Sequence, residues 1–178
     1  MTNPTQQYLN ECFSYSDGII VWKVRPKEHF FDGGRGQKTT QPGTVAGYLN
    51  ADGYLQVDIS GKCARTTVSV ARVIYIMHYG CIPDKLLVDH KDTNRANNCI
   101  ENLRLATSSQ NAQNQSLRAS NASGVKGVSW HKSAKCWEAK IGHNGKQHRI
   151  GLFATTEMAA EALSAYRAKL HGIFANNG

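Results

Sequence analysis

The stretch VDHKDTNRANNCIENLRLATSSQN, residues 88–111, decides how the chain is read. It sets an acid beside an imidazole in Asp89–His90 and follows them with amides at Asn94, Asn97, Asn98, Asn102 and Asn111. Leu86, Leu87 and Val88 before it, and Ile100, Leu103 and Leu105 within it, suit two short strands flanking a polar loop. Ser108 or Ser109 then starts a helix. In such a strand–loop–strand–helix unit Asp89, His90 and Asn111 can converge, and oxygen donors from both ends with an imidazole between them are what metal-assisted hydrolysis requires. Asn94, Asn97 and Asn98 are read chiefly as turn and cap amides, the commonest use of that side chain.

This arrangement resembles the HNH nuclease family, and the match covers roughly residues 64–115 through the run DHxDxN followed by NNxxENLR. The resemblance implies a small ββα unit holding one divalent metal, with Asp89 and Asn111 as metal ligands. It implies His90 as general base and Asn102 as the residue that holds the loop so that His90 points correctly. Arg104, in the same ENLR run, is added as a DNA contact. Asp and Asn oxygens are hard donors, so one Mg²⁺ or Mn²⁺ per site suits better than zinc. An ordinary imidazole titrates near about 6.5 and can take a proton at neutral pH.

Upstream, residues 1–18 form a short amphipathic opening, and residues 19–24 (IIVWKV) read as a strand. Residues 25–43 are a glycine-rich loop carrying Arg25, Lys27, Arg35 and Lys38, read either as plain loop or as an arm that closes on a phosphate backbone. Residues 44–49 and 53–59 make a hairpin, and 62–67 add a further strand. From Ser69 the period becomes helical (Val70, Val73, Ile74, Met77), with Gly80 as the stop. This order also resembles phage HNH proteins, which usually carry His where this chain has Ala71.

Residues 112–123 are polar, with a linker at 117–123. Beyond them, 126–131, 135–141 and 147–153 read as three strands, the last two joined at Asn144–Gly145. Thr155 or Thr156 caps a helix whose apolar face is Ala159, Ala162, Leu163, Tyr166 and Leu170. Trp137, Ala139 and Ile141 face that helix, Glu138 and Lys140 face away, and Trp130 and Trp137 are read as core. His143 and His148 are read as solvent-facing.

KGVSW, WEAKI, IGLF, TTEMAAEAL and HGIFAN together resemble the plant ethylene-response-factor (APETALA-type) DNA-binding domain over residues 124–177. The resemblance implies a sheet laid in the major groove of double-stranded DNA and nominates Lys126, Ser129, His131, Glu138, Lys140, Gln147 and Arg149 as contacts.

The expected fold class is therefore α+β. A small antiparallel sheet and helix lead into the ββα-metal unit (nuclease domain 1–116, core about 84–115), and a three-stranded antiparallel sheet packed on one helix follows (124–178). Charge agrees with a polyanionic partner: the net is +8, and its basic excess grows towards the C-terminus. Residues 1–60 hold 5 Lys and Arg against 6 Asp and Glu, 61–115 hold 7 against 4, and 116–178 hold 9 against 3. Five cysteines without a CxxC pair indicate neither a disulfide framework nor a zinc site. They are read as reduced thiols of a protein in the cytoplasm of a bacterium or a phage-infected host. No signal peptide or membrane span is visible. One active site per chain implies a nick by a monomer, or a double-strand break by a homodimer. The competing expectation is a non-enzymatic DNA-binding regulator whose nuclease unit is vestigial.

Overall fold

The computed structural model describes residues 4–26, 29, 41–60, 65–117, 120–143 and 145–177. It falls into two compact units, Met1–Leu105 and Ala106–Gly178.

In the first unit, Thr5 caps helix α1 (Gln6–Cys12) by accepting the Tyr8 N–H. The chain then extends into β1 (Phe13–Ser16) and returns as β2 (Ile19–Trp22), Phe13 opposite Trp22. The turn needs Gly18: its φ is +82°, and a Cβ there would sit 2.8 Å from the Cys99 backbone nitrogen.

Strands β3 (Tyr48–Leu49), β4 (Leu55–Ser60) and β5 (Arg65–Ser69) form an antiparallel sheet in that order. The β3–β4 turn is tied by Asn50 Oδ1, which accepts the N–H groups of Asp52 and Tyr54. Of the strand expected at 62–67, residues 65–67 lie in β5, which runs on to Ser69. Residues 61–64 lie outside the described residues.

Helix α2 (Val70–Tyr79) starts at Ser69 and stops at Gly80, whose φ of +88° suits a glycine. Val70, Val73, Ile74 and Ile76 are buried; Met77, expected on that face, is half-buried. With Leu9, Phe13, Ile20 and Val57 they form one core, each large side chain contributing roughly 1.5–3 kcal/mol by leaving water. Leu86, Val88, Ile100, Leu103 and Leu105 pack against it. They thereby seat β6 (Leu86–His90), a 3-10 turn at Ile100–Asn102 and β7 (Leu103–Thr107), and β6 pairs with β7.

The loop expected at 25–43 falls largely on residues 27–28 and 30–40, outside the described residues, and Lys27, Arg35 and Lys38 go with it. Arg25 is buried, its guanidinium 4.6 Å from the centre of the Trp22 ring.

In the second unit, helix α3 (Ser108–Asn114) is followed by β8 (Val128–His131), β9 (Cys136–His143) and β10 (Lys146–Phe153) in the order β10–β9–β8, then by α4 (Thr156–His171). Thr155 caps α4 by accepting the Met158 N–H. Val128, Ala139 and Ile141 meet Ala159 and Leu163 in a small core.

Two side chains depart from their sequence readings. The buried stripe of α4 continues at Arg167, 4% exposed, while Tyr166 is exposed. Arg167 Nη1 donates to Asn177 Oδ1 at 3.1 Å and Nη2 to the Lys126 carbonyl, so its charge is housed while its stem packs. Trp130 is half exposed, edge-on to Trp137, because β8 is an edge strand. Of the Asn144–Gly145 turn, Gly145 has the positive φ expected (+73°), and Asn144 lies outside the described residues.

Candidate active site and nucleic-acid interface

Strand β6 ends in the two residues of greatest interest. Asp89 and His90 are both buried, at 6% and 5% exposure. Strand β7 returns alongside and delivers Arg104, whose Nε donates to Asp89 Oδ2 at 2.9 Å. The pair is enclosed, so the guanidinium offsets a carboxylate that would otherwise be costly to bury. This ion pair is where Arg104 is found, beside Asp89.

The loop from β6 to β7 is built around Asp92. Its Oδ1 accepts from the Asn94 N–H and from Asn102 Nδ2, each at 2.9 Å, and its Oδ2 from Asn97 Nδ2 at 2.7 Å. The Asp92 N–H donates in turn to Asn102 Oδ1. Asn102 Nδ2 also reaches the Asn97 carbonyl, and its own carbonyl accepts the Lys91 N–H. Burial pushes the Asp92 pKa up, but the bonds from Asn97, Asn102 and the Asn94 N–H outweigh it and hold the carboxyl below the usual carboxylate range. Asn102 thus closes the loop that carries His90. Asn94 and Asn97 act as turn amides, accepting the N–H groups of Ala96 and Cys99.

Asn98 behaves differently. Only 2% exposed, it sets Oδ1 3.0 Å from His90 Nε2. Reading the loop asparagines as turn formers missed this contact; the one signal for it was the doubled amide Asn97–Asn98. The Tyr54 ring lies 6.3 Å from that of His90 between centroids. Arg95 stacks on Tyr54 at 4.7 Å and donates to the Asp52 carbonyl, an exposed cation near the imidazole that no sequence motif singled out.

Asn111 is half-buried on α3 of the second unit. Thr107 and Gln110 form a capping box, and the helix begins at Ser108, one of the two serines expected to start it. The far end of α3 is moored. Lys126 Nζ donates to the carbonyls of Gln113 and Gln115, and Asn176 Nδ2 to that of Asn114. Burial, then the charge of Arg167, pulls the Lys126 pKa down to about 8.

Lys126 therefore lies apart from the other DNA contacts nominated in residues 124–178, which share the outer face of the sheet. There Ser129 stands opposite Glu138, and Lys140 opposite Arg149. Ser129, Lys140, Gln147 and Arg149 are exposed. Glu138 is covered by Lys140 Nζ at 2.7 Å and Arg149 Nε at 3.1 Å. The Lys140 hydrogen bond and the two positive charges lower its pKa. The His131 ring is engaged with its own turn, Nδ1 accepting the Ala134 N–H.

Among the described residues there is no cluster of three or more His, Cys, Asp or Glu that could hold a metal. No helix among them is long and apolar enough to cross a membrane.

The β6–β7 segment lies within a match to a known family. The model of the HNH endonuclease family matches residues 68–113. Protein 3.8 of Escherichia phage T7 is 38% identical over 98 residues, 54% of this chain and 78% of that protein. The Uncharacterized HNH endonuclease L560 of Acanthamoeba polyphaga mimivirus is 36% identical over 129 residues, 72% of this chain and 64% of its own length. A solved structure of DNA binding and cleavage by the HNH homing endonuclease I-HmuI aligns over 90% of this chain and 86% of that one, at 23% identity and a TM-score of 0.43.

Proposed function

The chain belongs to the HNH endonuclease family, and from that premise we propose that it is a metal-dependent DNA endonuclease of the homing type. In this reading residues 1–116 cut, 117–123 link, and an APETALA-like module at 124–178 chooses the site on double-stranded DNA. The observation that carries the reading is the buried Asp89–His90 pair at the end of β6, inside the family match, with its loop closed by Asn102.

His90 takes a proton from water, and the water oxygen attacks the phosphorus of the scissile phosphodiester. The bond to the 3′ oxygen breaks and that oxygen takes a proton from solvent, leaving 5′-phosphate and 3′-hydroxyl ends. Asp89 and Asn111 would hold Mg²⁺ or Mn²⁺, one per site, which their hard oxygen donors fit. When bound, the ion supplies positive charge for the phosphate and the departing oxygen. Arg104 tempers the charge of Asp89, and Asn102 keeps the loop rigid behind His90.

On the sheet, Lys140 and Arg149 meet phosphates while Gln147 and Ser129 reach base edges. Glu138, His131 and Lys126 serve that face through the ion pairs, the turn and the packing they make.

The test is nicking of supercoiled DNA with Mg²⁺ and with EDTA. His90→Ala and Asn111→Ala are each expected to lower the Mg²⁺-dependent rate by about 10²–10⁴-fold while DNA binding stays close to wild type. Undiminished nicking by either variant overturns the assignment. A wild-type chain that binds DNA but never nicks it would instead be the regulator.

A further inference from the structure

We propose that Asn98 is the positioning residue for His90, fixing which imidazole nitrogen takes the proton. The inference rests on the reading of His90 as general base and adds a residue to it.

The argument starts from donors and acceptors. An amide oxygen only accepts hydrogen bonds, so the 3.0 Å contact between Asn98 Oδ1 and His90 Nε2 requires a proton on Nε2. The orientation of the amide is itself set, because Nδ2 donates to the Ala96 carbonyl at 3.4 Å. Reversing the amide would bring two oxygens face to face there. A neutral imidazole carries one N–H, so the lone pair is left on Nδ1. Nδ1 is then the atom that accepts the proton from water.

The same contact serves the charged state. Once protonated, the imidazolium donates through both nitrogens, and Oδ1 remains a partner for Nε2 without rearrangement.

Burial makes the bond matter. Asn98 and His90 are 2% and 5% exposed, so water cannot readily substitute for a lost acceptor. Neighbouring amides divide the labour: Asn97 ties the loop to Asp92, and Asn98 ties the base to the loop.

The test uses the full chain and two substitutions. In ¹⁵N-histidine NMR without DNA, wild-type His90 is expected to carry its proton on Nε2. Asn98→Leu, close in volume but without an acceptor, should lower the single-turnover nicking rate by about 10- to 100-fold, with DNA affinity and melting temperature near wild type. It should also disturb the His90 nitrogen shifts. Asn98→Asp restores an acceptor and is expected to recover most of the rate and the Nε2–H tautomer. A folded Asn98→Leu protein that nicks at the wild-type rate overturns the proposal, as does a wild-type imidazole protonated on Nδ1. Should Asn98→Leu not fold, the wild-type tautomer and the Asn98→Asp rate decide it. Failure of the wild-type chain to nick any DNA defeats the nuclease reading; the tautomer, measured without DNA, reports on Asn98 separately.

Discussion

Asp92 sits in a ring of amides that prefer its ionised form, and this makes the loop sensitive to acid. Its folded pKa is below the unfolded value of about 3.9. The stabilisation is therefore complete above the ordinary carboxylate range and fades as pH falls through the folded pKa. Wild type and Asp92→Asn are expected to differ most in urea midpoint above about pH 5 and to converge towards about pH 2; parallel curves throughout would refute this. Arg104→Ala strands the enclosed Asp89 carboxylate and should cost about 3 kcal/mol in urea unfolding. A loss confined to DNA binding would instead assign Arg104 to the nucleic acid. At this scale Asp89, His90 and Asn102 could be read from the sequence, because an acid–imidazole pair and ENLR are distinctive. Asn98 could not: which of several uncharged amides meets an imidazole depends on how Asp92 and the left-handed Thr93 close the loop.

Strand β8 begins only after Gly127, and that turn explains why alternation misled for one residue. Counting outward positions from Lys126 assumes a strand there, whereas the chain is still turning, and the Lys126 ammonium is carried to the carbonyls of α3. Gly127 has φ +81°, and a Cβ would lie 2.5 Å from the Lys140 carbonyl oxygen. Gly127→Ala should destabilise the second unit by about 1–3 kcal/mol from backbone conformation alone, with steric displacement of β9 added. The fluorescence of Trp130 and Trp137 during melting would report it; an unchanged midpoint would contradict it. The other strands of this sheet, and α4, were evident from period-two and three-to-four spacing. Arg167 was hidden because a guanidinium counts as polar in any periodicity even when its head is bonded and its stem packed.

Over the whole molecule, charge is placed unevenly, and binding should show it. The 9 Lys and Arg against 3 Asp and Glu in residues 116–178 supply most of the net charge. Lys140→Ala and Arg149→Ala are each expected to reduce the slope of log affinity against log salt by about one, measured by anisotropy on duplex DNA. An unchanged slope would remove that residue from the phosphate contacts. Class and topology were open to sequence reasoning because each element is short and strongly patterned, but the attachment of α3 was not. Lys126 and Asn176 grip three successive carbonyls at its end, through contacts between residues distant along the chain. Replacing the C-terminal segment would therefore remove the groups that hold the helix bearing Asn111, whereas changing side chains on the exposed sheet face leaves those holds in place.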